Sequence, residues 1–453
     1  MRFALGLPLA FCALPALAWA QDGRPCELQL TGVRRAGVLT TYTNVFTDAN
    51  GARTTYFGGG VDATCRGQGN RLQADSAEHF ESRGELILMN RVRYNEPRMS
   101  LQSERMIYYT NDDRLIATGS VRGRSSSGTR FSGPQIEYFR AKPGVRSSPS
   151  WRAPGRPSVR MAPQDTTAPR ASARVANDTR GDSTDLTANY IVSVNDSLVS
   201  AVGQVVIERH DLKATADSAT LDQGTGFARL MREPRIEGRG ERAYTLTGVR
   251  IDLWSTDQRL ERVLSVGDAR IDGDSITLTG DTIDLRLKDQ RMERVYAWGK
   301  RPRATATAQE MEADSLDVLL PSQRLQEVHA IGTAVARSSV DTARIVSEEK
   351  DWITGDTLIA LFDTLATSDT TQGSRMREVV ATGNARAFYQ LPPPAGARGL
   401  PNLTYNRGRA ITVTFADGAV KNVAVREKAS GIYLEAAPAD TVKPAATPLA
   451  RRP

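Results

Sequence analysis

The sequence predicts an all-β protein, a stack of strand-rich units that makes one long twisted sheet folded over on itself. Three observations predict it. Apolar residues alternate with polar ones, as in Ile276, Leu278, Ile283, Leu285 and Leu287, and a period of two marks strands with one buried face. The alternating segments return as a repeated unit, and units with a single apolar face must stack to bury it. Apolar residues at the three- and four-residue spacing of a helix are sparse.

The chain opens with Arg2, an apolar run over 3–17 and Ala18-Trp19-Ala20 before Gln21-Asp22. That order reads as a secretory signal peptide over 1–20, cleaved to leave Gln21 first. Lipidation at Cys12 is the alternative, but Phe11 precedes that cysteine and the apolar run continues past it. Beyond residue 20 no stretch reaches the roughly 18 to 20 apolar residues of a membrane-spanning helix. Aromatic residues make up 6% of the chain, too few for the paired girdles of a membrane barrel. A periplasmic protein, soluble or peripheral to the outer membrane, is expected.

Loss of Cys12 leaves Cys26 and Cys65 in a compartment that permits oxidation. They either form one disulfide, which would stabilise the fold by about 3 to 4 kcal/mol, or remain buried thiols; a redox pair would be spaced Cys-x-x-Cys. The formal net charge of +7 attracts phosphates. For an exported chain the relevant polyanion is a lipid head group or a phosphorylated saccharide, and no nucleic-acid partner is expected.

The repeat is carried by two phrases. The first reads Gly-Asp-Thr-Ile-Asp-Leu at 280–285, Ala-Asp-Ser-Leu-Asp-Val at 313–318 and Gly-Asp-Thr-Leu-Ile-Ala at 355–360. Weaker copies, Ala-Asp-Ser-Ala, stand at 74–77 and 216–219. The second phrase leads from Gln290 to Gly299, from Gln323 to Gly332 and from Ser374 to Gly383. Asp281 to Asp314 and Gly299 to Gly332 are each 33 positions apart, which sets the unit length. The apolar parity flips across Gly280-Asp281, so Gly-Asp is expected to be the bend or bulge of each unit. Lys288-Asp289-Gln290, Ser255-Thr256-Asp257 and Asp417-Gly418 supply turn chemistry. On the strands so defined, Leu278, Ile283, Leu285, Leu316, Val318, Leu358 and Phe362 face one way and form one continuous apolar stripe in a stack, either a lipid path or a packed core. Arg286 and Asp317 face the other way.

The stretch 141–182 is dominated by Pro, Arg, Ser, Thr and Ala, with Trp151 its only Trp, and is expected to be a disordered linker. The Pro- and Ala-rich tail over 437–453 is expected to be unstructured as well. Two strand-rich regions, 21–140 and 183–436, remain.

The alternation joined to Leu72-Gln73-Ala74-Asp75-Ser76-Ala77, to Gly84-Glu85-Leu86-Ile87-Leu88 and to Leu115-Ile116-Ala117-Thr118-Gly119-Ser120-Val121 resembles the OstA-like family of lipopolysaccharide-transport proteins. So do 198–205, Val379-Val380-Ala381-Thr382-Gly383-Asn384-Ala385, the Gly-Asp-Thr phrases and the closing Gly431-Ile432-Tyr433-Leu434. The resemblance spans most of 60–435 apart from the linker. It implies an extended β-jelly roll shaped as a twisted V, whose apolar inside accepts acyl chains and whose ends join other jelly rolls by edge-strand pairing. The implied partners are lipopolysaccharide or a similar glycolipid, other jelly-roll proteins of a transport bridge and the outer-membrane assembly machinery. The chain departs from small members in its length and its linker, and has no room for the barrel of the largest.

Catalytic and metal chemistry find no foothold in the pattern. His79, His210 and His329 sit in separate units without a second ligand at metal spacing. Gly238-Arg239-Gly240-Glu241-Arg242-Ala243 matches a dinucleotide string but precedes a strand-like Tyr244-Thr245-Leu246 where a helix is required. Asp281, Asp314 and Asp356 recur too far apart for a calcium roll and do not make the paired acids of a glycosidase; hydrogen bonding at the bends is their expected role. No Gly-x-Ser-x-Gly is present. The expected function is therefore non-catalytic binding and transfer of an envelope glycolipid, with no cofactor. A β-scaffold that binds envelope proteins or polysaccharide is the alternative. An open apolar groove favours the first and a filled core the second.

Overall fold

The computed structural model describes residues 28–65, 69–161, 183–239, 243–256, 259–273, 276–306, 308–321, 324–363, 376–393, 398–416 and 419–436. The signal peptide, Cys26, the tail and residues 162–182 of the expected linker lie outside them. The chain is all-β, 73% strand, and includes a 3₁₀ turn at Glu81–Arg83. It divides into two compact units, one of residues up to Ser126 with Gln135–Trp151, the other of Ser127–Pro134 with Arg152 onward.

In the first unit the long strands Glu85–Asn95, Met99–Tyr109 and Arg114–Ser125 each serve two layers. Residues Glu85 to Met89 ladder with Ser76–Phe80, whereas Arg93 to Asn95 ladder with Arg71–Ala74. The change of neighbour falls where Asn90 and Arg91 turn left-handed, with φ of 64° and 50°. Leu86, Leu88, Val92, Leu101, Met106 and Leu115 are buried between the layers, each such side chain contributing about 1.5 to 3 kcal/mol.

A polar knot closes one side of this interior. Tyr94 lies past the Asn90 bend and Tyr108 pairs with Leu86 before it, so the two rings belong to opposite layers. Arg140 donates to Glu96 Oε2 at 2.9 Å and to Asp113 Oδ1 at 3.1 Å, and all three side chains are buried. The hydroxyls of Tyr94 and Tyr138 donate to Glu96, and Tyr108 donates to Asp113 at 3.0 Å. Burial holds the Tyr94 and Tyr108 hydroxyls protonated well above the ordinary phenol range. Cys65, 3.9 Å from the Tyr108 hydroxyl, is disulfide-bonded; its expected partner Cys26 lies outside the described residues.

The second unit repeats the two-layer plan over a longer run. Long strands such as Arg259–Gly273, Ile276–Lys288, Glu327–Ser338, Asp351–Phe362, Met376–Leu391 and Asn402–Ala416 cross both layers. Between them stand strands split in two, such as Arg291–Trp298 with Arg303–Ala306 and Gln309–Glu312 with Ser315–Leu319. Asp289 and Gln290 form a two-residue hairpin turn with positive φ at both, as the twist of the flanking strands requires.

The bend differs from the sequence expectation in one respect. The left-handed residues are not Gly280-Asp281 but residues facing Asp281: Gly267-Asp268 on the preceding strand, and Gly299, Lys300 and Arg301 in the connection between Arg291–Trp298 and Arg303–Ala306. On the preceding strand two residues oppose one, the definition of a bulge. The two repeated phrases are thus the two sides of one corner, because Asp281 faces Gly299, Asp314 faces Gly332 and Asp356 faces Gly383. The backbone N–H of Asp281 and of Asp314 donates to the carbonyl of its glycine at 3.0 Å.

The linker expectation is corrected for 141–161. Ser158–Met161 ladders with Arg130 to Ser132 and with Thr184–Thr187, and Ser150–Pro154 is also a strand. Trp151, Ala153, Val159 and Met161 are buried. Two short alternations suffice for a strand laid on an existing layer, and the averaged Pro/Arg/Ser composition hides them.

Two stability measurements follow. At Gly332, φ is +83° and an added Cβ would stand 2.8 Å from Asp314 Cβ. Gly332→Ala is expected to cost about 1 to 3 kcal/mol in urea unfolding, and Asp314→Ala in the same chain should recover part of it; simple additivity would refute the corner contact. Arg140→Met should cost about 3 to 5 kcal/mol because it strands two buried carboxylates, whereas Arg140→Met with Glu96→Gln and Asp113→Asn should cost less.

Candidate functional site

The apolar stripe of the second unit assembles from cross-strand register. Ile283, Ala297, Leu316, Ala330, Leu358, Ala381 and Ile411 are successive Cα partners. Beside them run Val263, Leu285, Val295, Val318, Val328, Ala360 and Val379. Large and small residues alternate along the first row, which lets the facing layer interdigitate. Leu278 belongs to that facing layer, in the row Ile271, Leu278, Ala304, Met311, Ala336 and Ile353. Six of the seven expected lining residues, Leu278, Ile283, Leu285, Leu316, Val318 and Leu358, are only 0 to 4% exposed. Phe362, at the end of its strand, is half-buried. The middle of the interior is therefore packed side chain against side chain.

The interior opens at its C-terminal end. Val425 and Val423 are the partners of buried Ile411 and Val413 and face the same way, yet both are half-exposed. In the other layer Ser430–Leu434 is exposed at every position, with Ile432, Tyr433 and Leu434 at 60, 51 and 56%. Of these three Tyr433 faces inward, as Val423 and Val425 do in the first layer, whereas Ile432 and Leu434 face outward. Inward apolar residues that meet water are unusual in a finished core, and an exposed apolar cluster marks an interaction surface.

The outer face carries charges in a repeated order. Asp252, Asp284 and Asp317 sit on the face opposite the stripe but are almost fully covered. The cover is an arginine from the neighbouring strand: Arg229 grips Asp252 at 2.7 and 3.0 Å, Arg262 grips Asp284 at 3.0 and 2.9 Å, and Arg294 grips Asp317 at 2.8 and 2.6 Å. Each arginine also lies over an aromatic ring, Phe227, Trp254 or Tyr296. Bidentate geometry and ring stacking keep the guanidinium flat on the sheet. Reasoning from sequence placed Asp317 outward but missed its cover, since no local pattern couples Arg294 to it.

The three histidines stay apart. His210 meets Gln290 at 3.2 Å and His329 meets Glu327 at 2.9 Å, while burial lowers the pKa of His79. Of the remaining titratable groups, Asp351 stands out near the open end. Burial pushes its carboxyl up to about 6, opposed by the Gln390 backbone N–H and side-chain amide, which donate to Oδ1 at 3.0 and 3.3 Å. No protein-family model matches the chain, and no curated protein matches it.

The raised Asp351 value sets a sign for pH dependence. Above about pH 6 the folded chain carries a carboxylate that burial penalises. As pH falls from about 6 towards the ordinary carboxyl value, the folded state takes up the proton before the unfolded state does and gains stability. Asp351→Asn keeps the acceptor oxygen, so it should raise stability at pH 7.5 by on the order of 1 kcal/mol, part-exposure allowed for. It should also flatten the melting temperature between pH 7 and pH 4; an unchanged pH profile would remove Asp351 from the account.

Proposed function

We propose that the chain is a non-catalytic periplasmic protein that binds an amphipathic glycolipid of the lipopolysaccharide type and passes it on during outer-membrane assembly, the role implied by its resemblance to the OstA-like family. The observation that carries this reading is the open C-terminal end, where inward Val423, Val425 and Tyr433 meet solvent at the mouth of an otherwise continuous apolar interior. An acyl chain gains about 0.8 kcal/mol for each methylene it moves out of water. The same end supports a second jelly roll as partner, because the exposed Ser430–Leu434 strand offers backbone groups and apolar side chains for strand addition. The disulfide at Cys65 supports an oxidising compartment.

One observation favours the scaffold reading. Leu285, Leu316 and Leu358 are wholly packed, so a lipid reaches the middle of the unit only if the layers part. Photo-crosslinkers in living cells separate the two. Under lipid transfer, Val425, Tyr433 and Phe362 should capture glycolipid most strongly, Leu285 and Leu316 less, and the outer positions Arg286 and Asp317 not at all. Equal capture on both faces, or none in folded variants, would count for the scaffold.

A further inference from the structure

On the outer face of the layer that contains Leu278, one cross-strand row runs Arg235, Thr247, Arg270, Thr279, Arg303, Glu312, Val335, Thr354, Arg386 and Arg407. The earlier arginines of the row are neutralised. Arg235 pairs with Glu237 at 2.9 Å, Arg270 with Asp272 at 2.6 Å, and Arg303 with Glu310 and Glu312 at 3.4 and 3.3 Å. Arg386 and Arg407 break the rule. They are direct cross-strand partners, both exposed, and no ion pair reaches either among the described residues. Like charges directly opposite each other oppose strand pairing.

The neighbouring row changes character at the same strands. It runs Glu237, Thr245, Asp272, Thr277, Thr305, Glu310 and Arg337, then Trp352, Phe388, Tyr405 and Ile432. Trp352 and Phe388 stack with centroids 6.0 Å apart, and Tyr405 meets Trp352 edge-on at 6.1 Å. Polar, ion-paired chemistry thus gives way to a partly exposed aromatic row beside two uncompensated guanidiniums. Guanidiniums present forked donors that match phosphate oxygens, and aromatic rings offer flat apolar faces to the C–H faces of a sugar.

We propose that this surface, Arg386 and Arg407 beside Trp352, Phe388 and Tyr405, binds a phosphorylated saccharide, the head group of the glycolipid. The identity of the source as a lipid rests on the function proposed above; the surface does not. A head group held here lies outside the apolar interior, so the chain engages its ligand on two faces near one end of the second unit.

Calorimetric titration of the full mature chain tests this with a deacylated, phosphorylated head-group saccharide and the same saccharide after phosphatase treatment. Saturable binding is expected for the first, weakened about tenfold or more by dephosphorylation and by R386Q with R407Q together. The double variant should melt no lower than the parent, because a like-charge pair is relieved. Arg377→Gln, an exposed change on the other layer, should leave binding unaltered. Undiminished binding by the double variant, or equal binding of the dephosphorylated saccharide, overturns the proposal. So does self-association of the chain that the double variant abolishes in the absence of saccharide binding. Glycolipid crosslinks at Val425 and Tyr433 without saccharide binding would retain the interior path and reject this surface. Saccharide binding without those crosslinks would retain the surface and reject lipid transfer.

Discussion

The two-layer architecture depends on one constraint, the corner at which a single residue faces a two-residue left-handed bulge. At Asp281, Asp314 and Asp356 the single residue is an aspartate, and the residue packed against it is a glycine whose absent side chain leaves it room. A long strand that meets such a bulge changes neighbours halfway along, so one strand contributes hydrogen bonds to both layers. Without the bend, the same strands would form one flat sheet with an apolar face in water. The positive φ of Thr333, Asn384 and Asp268, 45°, 47° and 48°, is the cost of the bend. Asn and Asp adopt that conformation more readily than other side chains and the β-branched Thr333 least readily, and the burial on both sides of the corner offsets the strain.

Around this frame the two faces of each strand take different roles. Inward rows are apolar, one of them alternating large and small residues, and need only the period of two. Outward rows use arginine to cover Asp252, Asp284 and Asp317, and aromatic rings hold the arginines in place. The first unit uses polar groups differently: Glu96, Asp113 and Arg140 are drawn into the interior itself, with tyrosine hydroxyls completing their hydrogen bonds. A buried ion triad is weak evidence for stability, since hydrophobic replacements often do as well. Its effect here is to tie strand ends from both layers to one guanidinium.

Function, on this view, follows from where the pattern stops. Along most of the second unit the interior is packed and the outer charges are matched, leaving little for a ligand to recognise. At the C-terminal end inward residues meet water, the outer row turns aromatic, and Arg386 and Arg407 have no ion pair among the described residues. The exposed apolar and aromatic residues gather there on both faces, and the proposed amphipathic ligand would engage both.

The sequence by itself determined the strands, their inward faces and the two phrases of the corner, because these are written in neighbouring residues: alternation is local, and a glycine that must turn left-handed is conspicuous. It placed Ile283, Leu285, Leu316, Val318 and Leu358 on one stripe correctly. It misplaced the bend by one strand, assigning to Gly280 the turn that Gly267 and Gly299 make, because parity shows that a strand flips but not which partner carries the extra residue. It also read 141–161 as linker, where composition outweighed two short alternations. Only the tertiary structure decided that Leu278 faces the stripe from the other layer, that Arg294 covers Asp317, and that Arg140 reaches Glu96 across 44 positions. Those contacts depend on the register between segments far apart in the chain, and register is set by how bulges and layers fit together, which no short window of sequence records.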